Sequence, residues 1–165
     1  ADHNRSGAYE VDFSGEAHRL KGDARTARLA LATENRAAVL DSLILCKFLR
    51  GVFDDFYSET ADLLASVTGW DCDAAELERV GHRIVDLRKA FNIREGWTPE
   101  EDTLPPRFFA EPLTAGASAG AQISRERLQE MIDSYYSARG WTSTGYLPEA
   151  TLRSIAEDTY AEEGA

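Results

Sequence analysis

The hexapeptide Asp41-Ser42-Leu43-Ile44-Leu45-Cys46 closes a long apolar-rich stretch with one acid and one thiol. A carboxylate in such a setting is costly unless it is paired or hydrogen-bonded. An ionised Asp41 can accept two hydrogen bonds at once from a ligand with amino and ring N–H donors, or it can cap a helix end and face water. The Cys46 thiol is either a small packing group or a soft metal ligand. A structural Fe–S or zinc site needs about four ligands. The chain has two cysteines, Cys46 and Cys72, and no CxxC. If Cys46 binds a cluster, the other ligands come from elsewhere. His3, beside Asp2, titrates near neutrality and suits a proton or hydrogen-bond donor, or else a solvated terminal residue. His82 reads as a satisfied helix residue. No GxGxxG, P-loop, HExxH or GxSxG occurs, so no self-contained catalytic motif is visible.

Helices must position these groups. Residues 1–22 read as irregular, punctuated by Gly7, Gly15 and Gly22. Residues 24–40 are rich in Ala, Leu and Arg and read as helix, closed by 41–47. A helix over 54–67 would bury Phe53, Phe56, Tyr57, Leu64 and Val67 and end at Gly69. Asp73 with Glu76 opens a longer helix, 73–92, whose Leu77, Val80, Ile84, Leu87 and Phe91 share a face. Thr98-Pro99-Glu100-Glu101 reads as N-cap, Pro at the first position and acids in the first turn. Leu104-Pro105-Pro106-Arg107 cannot continue a helix, and Arg94-Glu95 and Arg107 are placed to pair across that loop. Residues 114–121 are low in complexity and read as mobile. Ser124 caps a further helix with Leu128, Met131, Ile132 and Tyr135 inside, stopped by Gly140, and a last one starts near Pro148. Trp70, Trp97, Tyr135, Tyr136 and Trp141 read as core and loop anchors. The fold class is all-α, a multi-helix domain over 23–165.

The 165 residues carry 29 carboxylates against 18 Lys and Arg, a formal net charge of -11. This disfavours a nucleic-acid partner, which wants a basic footprint, and an anionic membrane surface. No stretch approaches the roughly 20 apolar residues of a membrane span, and residues 1–10 lack the apolar core of a secretory signal. Two cysteines make no disulfide framework, so a reducing cytoplasm is the expected home. The chain opens Ala-Asp-His-Asn without Met, as part of something longer would.

In order, Ala1-Asp2-His3-Asn4-Arg5, Asp41-Ser42-Leu43-Ile44-Leu45-Cys46-Lys47-Phe48, Thr68-Gly69-Trp70, Phe91-Asn92-Ile93-Arg94-Glu95-Gly96, Asp102-Thr103-Leu104-Pro105-Pro106-Arg107 and Tyr135-Tyr136-Ser137-Ala138-Arg139-Gly140-Trp141 run along nearly the whole chain. Each is weak alone. Together they resemble the C-terminal region of the tungsten-containing aldehyde:ferredoxin oxidoreductase family. The resemblance implies helical C-terminal domains and a tungsten, occasionally molybdenum, bis-pyranopterin beside one [4Fe–4S] cluster. It implies oxidation of aldehydes to carboxylic acids, with electrons passed to ferredoxin. Carried over, Asp41 would bind a pterin's amino-pyrimidine edge and the Leu45 backbone would contact the same pterin. Cys46 would ligate cluster iron, and His3 would stand at the substrate carbonyl as the active-site histidine.

The family's β-rich N-terminal domain, its other three cluster cysteines and its second pterin motif do not occur in this sequence. The chain alone is therefore expected to be inactive. Its partner would be the N-terminal part of the same enzyme or a complementary subunit, and its exposed surface could form a homo-oligomer. Small, aromatic and sugar-derived aldehydes, and ring reduction of an acyl-CoA in related enzymes, all remain open as substrates. The rival reading is a non-catalytic acidic helical domain that binds a protein partner. It requires Asp41 to cap or face water and Cys46 to be packed away.

Overall fold

A computed structural model describes residues 8–17 and 20–161. Seven α-helices and two short 3-10 helices, and no strand, occur among the described residues. The helices are α1 (Tyr9–Phe13), α2 (Ala24–Ser42), α3 (Phe56–Thr68), α4 (Ala74–Arg94), α5 (Arg107–Ala110), α6 (Arg125–Arg139) and α7 (Glu149–Ala161). The 3-10 turns are Lys47–Gly51 and Pro99–Glu101. The all-α expectation holds. The region read as irregular nevertheless contains α1, which buries Val11 and ties Glu10 to Arg36 of α2 at 2.6 Å.

Short-range side-chain chemistry sets most helix starts. Asp23, Asp55, Asp73 and Ser124 each accept the N–H three residues on, taking up one of the donors a helix start leaves unpaired. The hydrogen bonds from Thr26 and Ser58 hold the Asp23 and Asp55 carboxyls below their usual range. Gly69 and Gly140 close α3 and α6 in the left-handed conformation, at φ 74° and 72°.

Helix α2 is the hub. It packs against α4 and α6, and α3 and α7 pack on α4. Val39, Leu40, Phe56, Ala61 and Leu77 form the apolar core. The α2–α4 crossing is close because position 81 has no side chain: a Cβ there would lie 2.8 Å from the Asn35 carbonyl oxygen. That crossing rotates α4 away from the face its apolar spacing suggests. Leu77, Gly81, Val85 and Lys89 point inward, while Leu87 and Phe91 are exposed. Val67 and Trp70 are exposed too, at the outer end of α3, so Trp70 is no core anchor. Residues 114–121 close into a turn pinned by backbone bonds between Leu113 and both Gly120 and Ala121.

Candidate functional site

The Asp41–Cys46 strap is built by the way α2 ends. Leu45 N–H donates to the Leu40 carbonyl at 3.0 Å and Ile44 N–H to the Asp41 carbonyl at 3.2 Å. This paired pattern is the Schellman motif, which wants a left-handed residue just past the helix. Ile44 fills that position at φ 57°, the one non-glycine at positive φ among the described residues. A β-branched residue there is a true outlier. Leu45 turns back against the core beside Leu40, as the motif's apolar contact does. Cys46 then opens the Lys47–Gly51 turn, accepting from Leu49 N–H at 2.9 Å. The strap is thus held at both ends, and the Asp41 and Cys46 side chains are both exposed.

Helix α4 faces this strap. Arg88 Nη2 stands 3.8 Å from Asp41 Oδ2, a solvated pair that orients more than it stabilises. Exposed apolar side chains lie on the strap, on the turn after it and on α4 next to Arg88. Ile44 is 92% and Phe48 88% exposed, with Leu87 and Phe91 on either side of Arg88 in α4. A strained residue whose side chain reaches solvent is the kind of outlier that marks functional sites. Ile44→Gly should remove the left-handed penalty of about 1–2 kcal/mol and lose no buried surface. Part of the gain is offset by the entropy glycine adds to the unfolded chain. Thermal melting of this chain is expected to show a net gain of roughly 0.5–1 kcal/mol, about 1–4 °C. A lower melting temperature would mean that the Ile44 side chain is itself a packing contact.

A second network lies inside. Lys89 is buried, with its ammonium 2.9 Å from the Trp97 ring centroid, 5.0 Å from that of Trp141 and 3.6 Å from Asp102 Oδ2. Asp102 also accepts from Trp97 Nε1 at 3.2 Å and Tyr136 Oη at 2.5 Å. Burial pulls the Lys89 ammonium below its usual range and Asp102 pulls it back; burial also raises the Tyr136 phenol. This network fastens the loop after α4 onto α4 and α6. Its sequence signal is a lysine at the end of the inward stripe Leu77-Gly81-Val85-Lys89.

The predicted site residues fare differently. His3 lies outside the described residues. Asp41, Leu45 and Cys46 fall on one strap, with Leu45 half-buried and the other two exposed. No group of three or more His, Cys, Asp or Glu is placed to hold a metal ion among the described residues. Cys72 packs beside the core, and burial pushes its thiol up. A cavity of about 340 Å³ (Asp102, Leu104, Met131, Tyr135 among its walls) and another of about 440 Å³ between α4 and α7 include neither Asp41 nor Cys46. Arg94 pairs with Glu95 at 2.9 Å and Arg107 with Glu111 at 3.5 Å, so each finds a local acid rather than one across the loop. His82 is satisfied on its helix by Asp86 at 3.5 Å.

The family model for aldehyde ferredoxin oxidoreductase domains 2 and 3 matches residues 1–156. The tungsten-containing aldehyde ferredoxin oxidoreductase of Pyrococcus horikoshii is 34% identical over 135 residues, covering 81% of this chain and 21% of that protein. The one of Pyrococcus furiosus is 35% identical over 130 residues, covering 78% and 20%. The chain thus spans about a fifth of the length of these relatives. Its fold matches that in the active site complex BamBC of benzoyl coenzyme A reductase bound to 1,5-dienoyl-CoA. There the TM-score is 0.64 with 21% identity, over 85% of this chain and 21% of the other. By its helical fold, its ordered motifs and this likeness over most of its length, the chain belongs to the aldehyde ferredoxin oxidoreductase family.

Proposed function

We propose that this chain is the helical, cofactor-burying part of a tungsten (or molybdenum) bis-pyranopterin enzyme. That enzyme oxidises aldehydes to carboxylic acids and passes the electrons through a [4Fe–4S] cluster to ferredoxin. The observation that carries the reading is the joint exposure of the Asp41 carboxylate and Cys46 thiol on one backbone-pinned strap. The rival reading, an acidic interaction domain, required Asp41 to cap or face water, which it does, and Cys46 to be packed, which it is not. The donor set fits the cofactors in part: one carboxylate for N–H donors, and one soft ligand of the four a cluster needs.

When bound, the pterin-held metal would supply the two-electron oxidation and the cluster the electron path outward. Asp41 accepts two N–H bonds from the pterin's amino-pyrimidine edge while Arg88 steadies the carboxylate. Leu45 has its N–H engaged by Leu40, so its backbone contact to the cofactor runs through the carbonyl. Cys46, a few residues along the same strap, ligates iron as a thiolate. His3 hydrogen-bonds the substrate carbonyl oxygen or moves a proton there.

Ile44, Phe48, Leu87 and Phe91 are the surface that the N-terminal part of the enzyme, or a complementary subunit, would cover. Without that part the chain is inactive, and the same surface is open to self-association. No helix among the described residues is long and apolar enough to cross a membrane. The two free cysteines fit a reducing, cytoplasmic setting.

Asp41→Ala in the complete enzyme tests the reading. Loss of a charged hydrogen-bond acceptor should weaken pterin retention by about 2–3 kcal/mol. Pterin and tungsten per polypeptide, measured by fluorescence of the released pterin and by elemental analysis, should both fall. Unchanged contents of both would remove Asp41 from the cofactor site. The exposed position makes a folding defect easy to recognise by circular dichroism.

A further inference from the structure

Two of the three apolar residues in the Asp41–Cys46 strap turn inward: Leu43 and Leu45 pack against the core around Val39 and Leu40. Ile44, between them, is exposed to solvent, and its backbone is left-handed at φ 57°. That turn favours glycine or asparagine, and a β-branched residue is among the costliest to place there. An exposed side chain recovers nothing by burial within this chain. The position is also fixed. Ile44 N–H donates to the Asp41 carbonyl at 3.2 Å and Leu45 N–H to the Leu40 carbonyl at 3.0 Å, and a β-branched side chain has little freedom of its own. The strap therefore presents to solvent an acid, a stiff aliphatic group and a thiol, with Phe48 exposed two residues beyond the thiol.

We infer that Ile44 is a positioning residue of the redox centre: in the assembled enzyme its side chain is the apolar cover that keeps water from Asp41 and Cys46 while they hold pterin and iron. The inference rests on the function proposed above and extends it to a residue with no donor or ligand atom. Phe48 covers the far side of the thiol. An apolar shell of this kind sets solvent access and local dielectric, and through them the reduction potential of a metal site. The sign follows from charge. Reduction adds one negative charge to a cluster, and water favours the more highly charged state. A drier cluster is harder to reduce, and so a stronger electron donor.

The test uses the complete enzyme and three substitutions. Ile44→Gly and Ile44→Asn suit the left-handed turn but remove the apolar cover, whereas Ile44→Leu keeps it. Redox titration of the cluster, followed by electron paramagnetic resonance at equal iron content, should show the Gly and Asn variants at more positive potential. A tenfold change in the reduction equilibrium is expected, about 59 mV for one electron. Both variants should also lose iron to a chelator about tenfold faster, and Ile44→Leu should keep the parent values. Unchanged potential and release rate in the Gly and Asn variants, with iron still lost from Cys46→Ser, would overturn the role of Ile44 alone. Weaker association with the N-terminal part at unchanged potential would make Ile44 an ordinary interface residue and overturn it too. Iron retained in Cys46→Ser would instead remove the ligand assignment beneath it.

Discussion

Replacing Arg139 by Ala is expected to cost about 3–5 kcal/mol, the range for breaking a buried ion pair from one side. The Arg139 side chain is 0% exposed. It joins α6 to α2 through Glu34 Oε2 at 2.5 Å and Asn35 Oδ1 at 2.6 Å, and its Nε donates to Tyr135 Oη at 3.0 Å. Tyr135 in turn donates to Glu34, and burial pushes its phenol far above the usual range. Truncation would leave Asn35 without its donor inside the protein and open a void where the guanidinium stem packed. Because Glu34 keeps a quarter of its surface, the loss should fall toward the lower end of that range. Against a typical total of 5–15 kcal/mol this is a large fraction. Urea unfolding measures it directly. Arg139→Met combined with Glu34→Gln should recover much of the loss, since replacing both charged partners by neutral residues of similar size avoids a stranded charge. A loss below about 1 kcal/mol for Arg139→Ala would show that water screens the pair. The position matters for function too. Helix α2 ends in the Asp41–Cys46 strap, so whatever clamps α2 aims that strap.

The largest functional effect is expected from Cys46→Ser in the complete enzyme. Iron in such a cluster is held by thiolates, and a serine oxygen is a poor substitute at one of four positions. Most of the cluster iron should be lost, and electron transfer to ferredoxin with it. The fold should be untouched, because Cys46 is exposed and its backbone, not its thiol, opens the 3-10 turn. Cys72→Ser is the matched control. Its thiol packs beside the core and is raised in pKa by burial, so iron content should be retained. Full iron and ferredoxin reduction in Cys46→Ser would refute the ligand assignment. Loss of iron in both variants would point to a general instability instead.

Helix starts were legible because capping is local. The spacing from Asp73 to Glu76, and the place of Ser124 before Arg125-Glu126-Arg127, needed no knowledge of the rest of the fold, and both caps form. Asp23 with Thr26 is the same kind of signal, and it stood unread ahead of α2. Gly69 and Gly140 stop their helices for an equally local reason. The inward face of α4 was legible only in its first turns, where Leu77 is buried. Apolar spacing nominated Leu87 and Phe91, yet Gly81 and Lys89 are the residues turned inward. A domain built to meet further protein has apolar residues on more than one side, and periodicity alone cannot rank them. Lys89 defied its residue type because Trp97 and Asp102 of the following loop fold back onto it and Trp141, far along the chain, closes the other side.

The sequence by itself determined that this is an acidic all-helical domain with the motifs of its family, since helix propensity, caps and motif order are written in consecutive residues. It also singled out Asp41 and Cys46 as the pair with chemistry to offer. Only the tertiary structure decided that both side chains face outward from one strap, that Ile44 bears the strained turn between them, and that Arg88 of another helix reaches the carboxylate. Those features depend on how α2 ends against α4, and side-chain packing between helices distant in sequence sets that geometry.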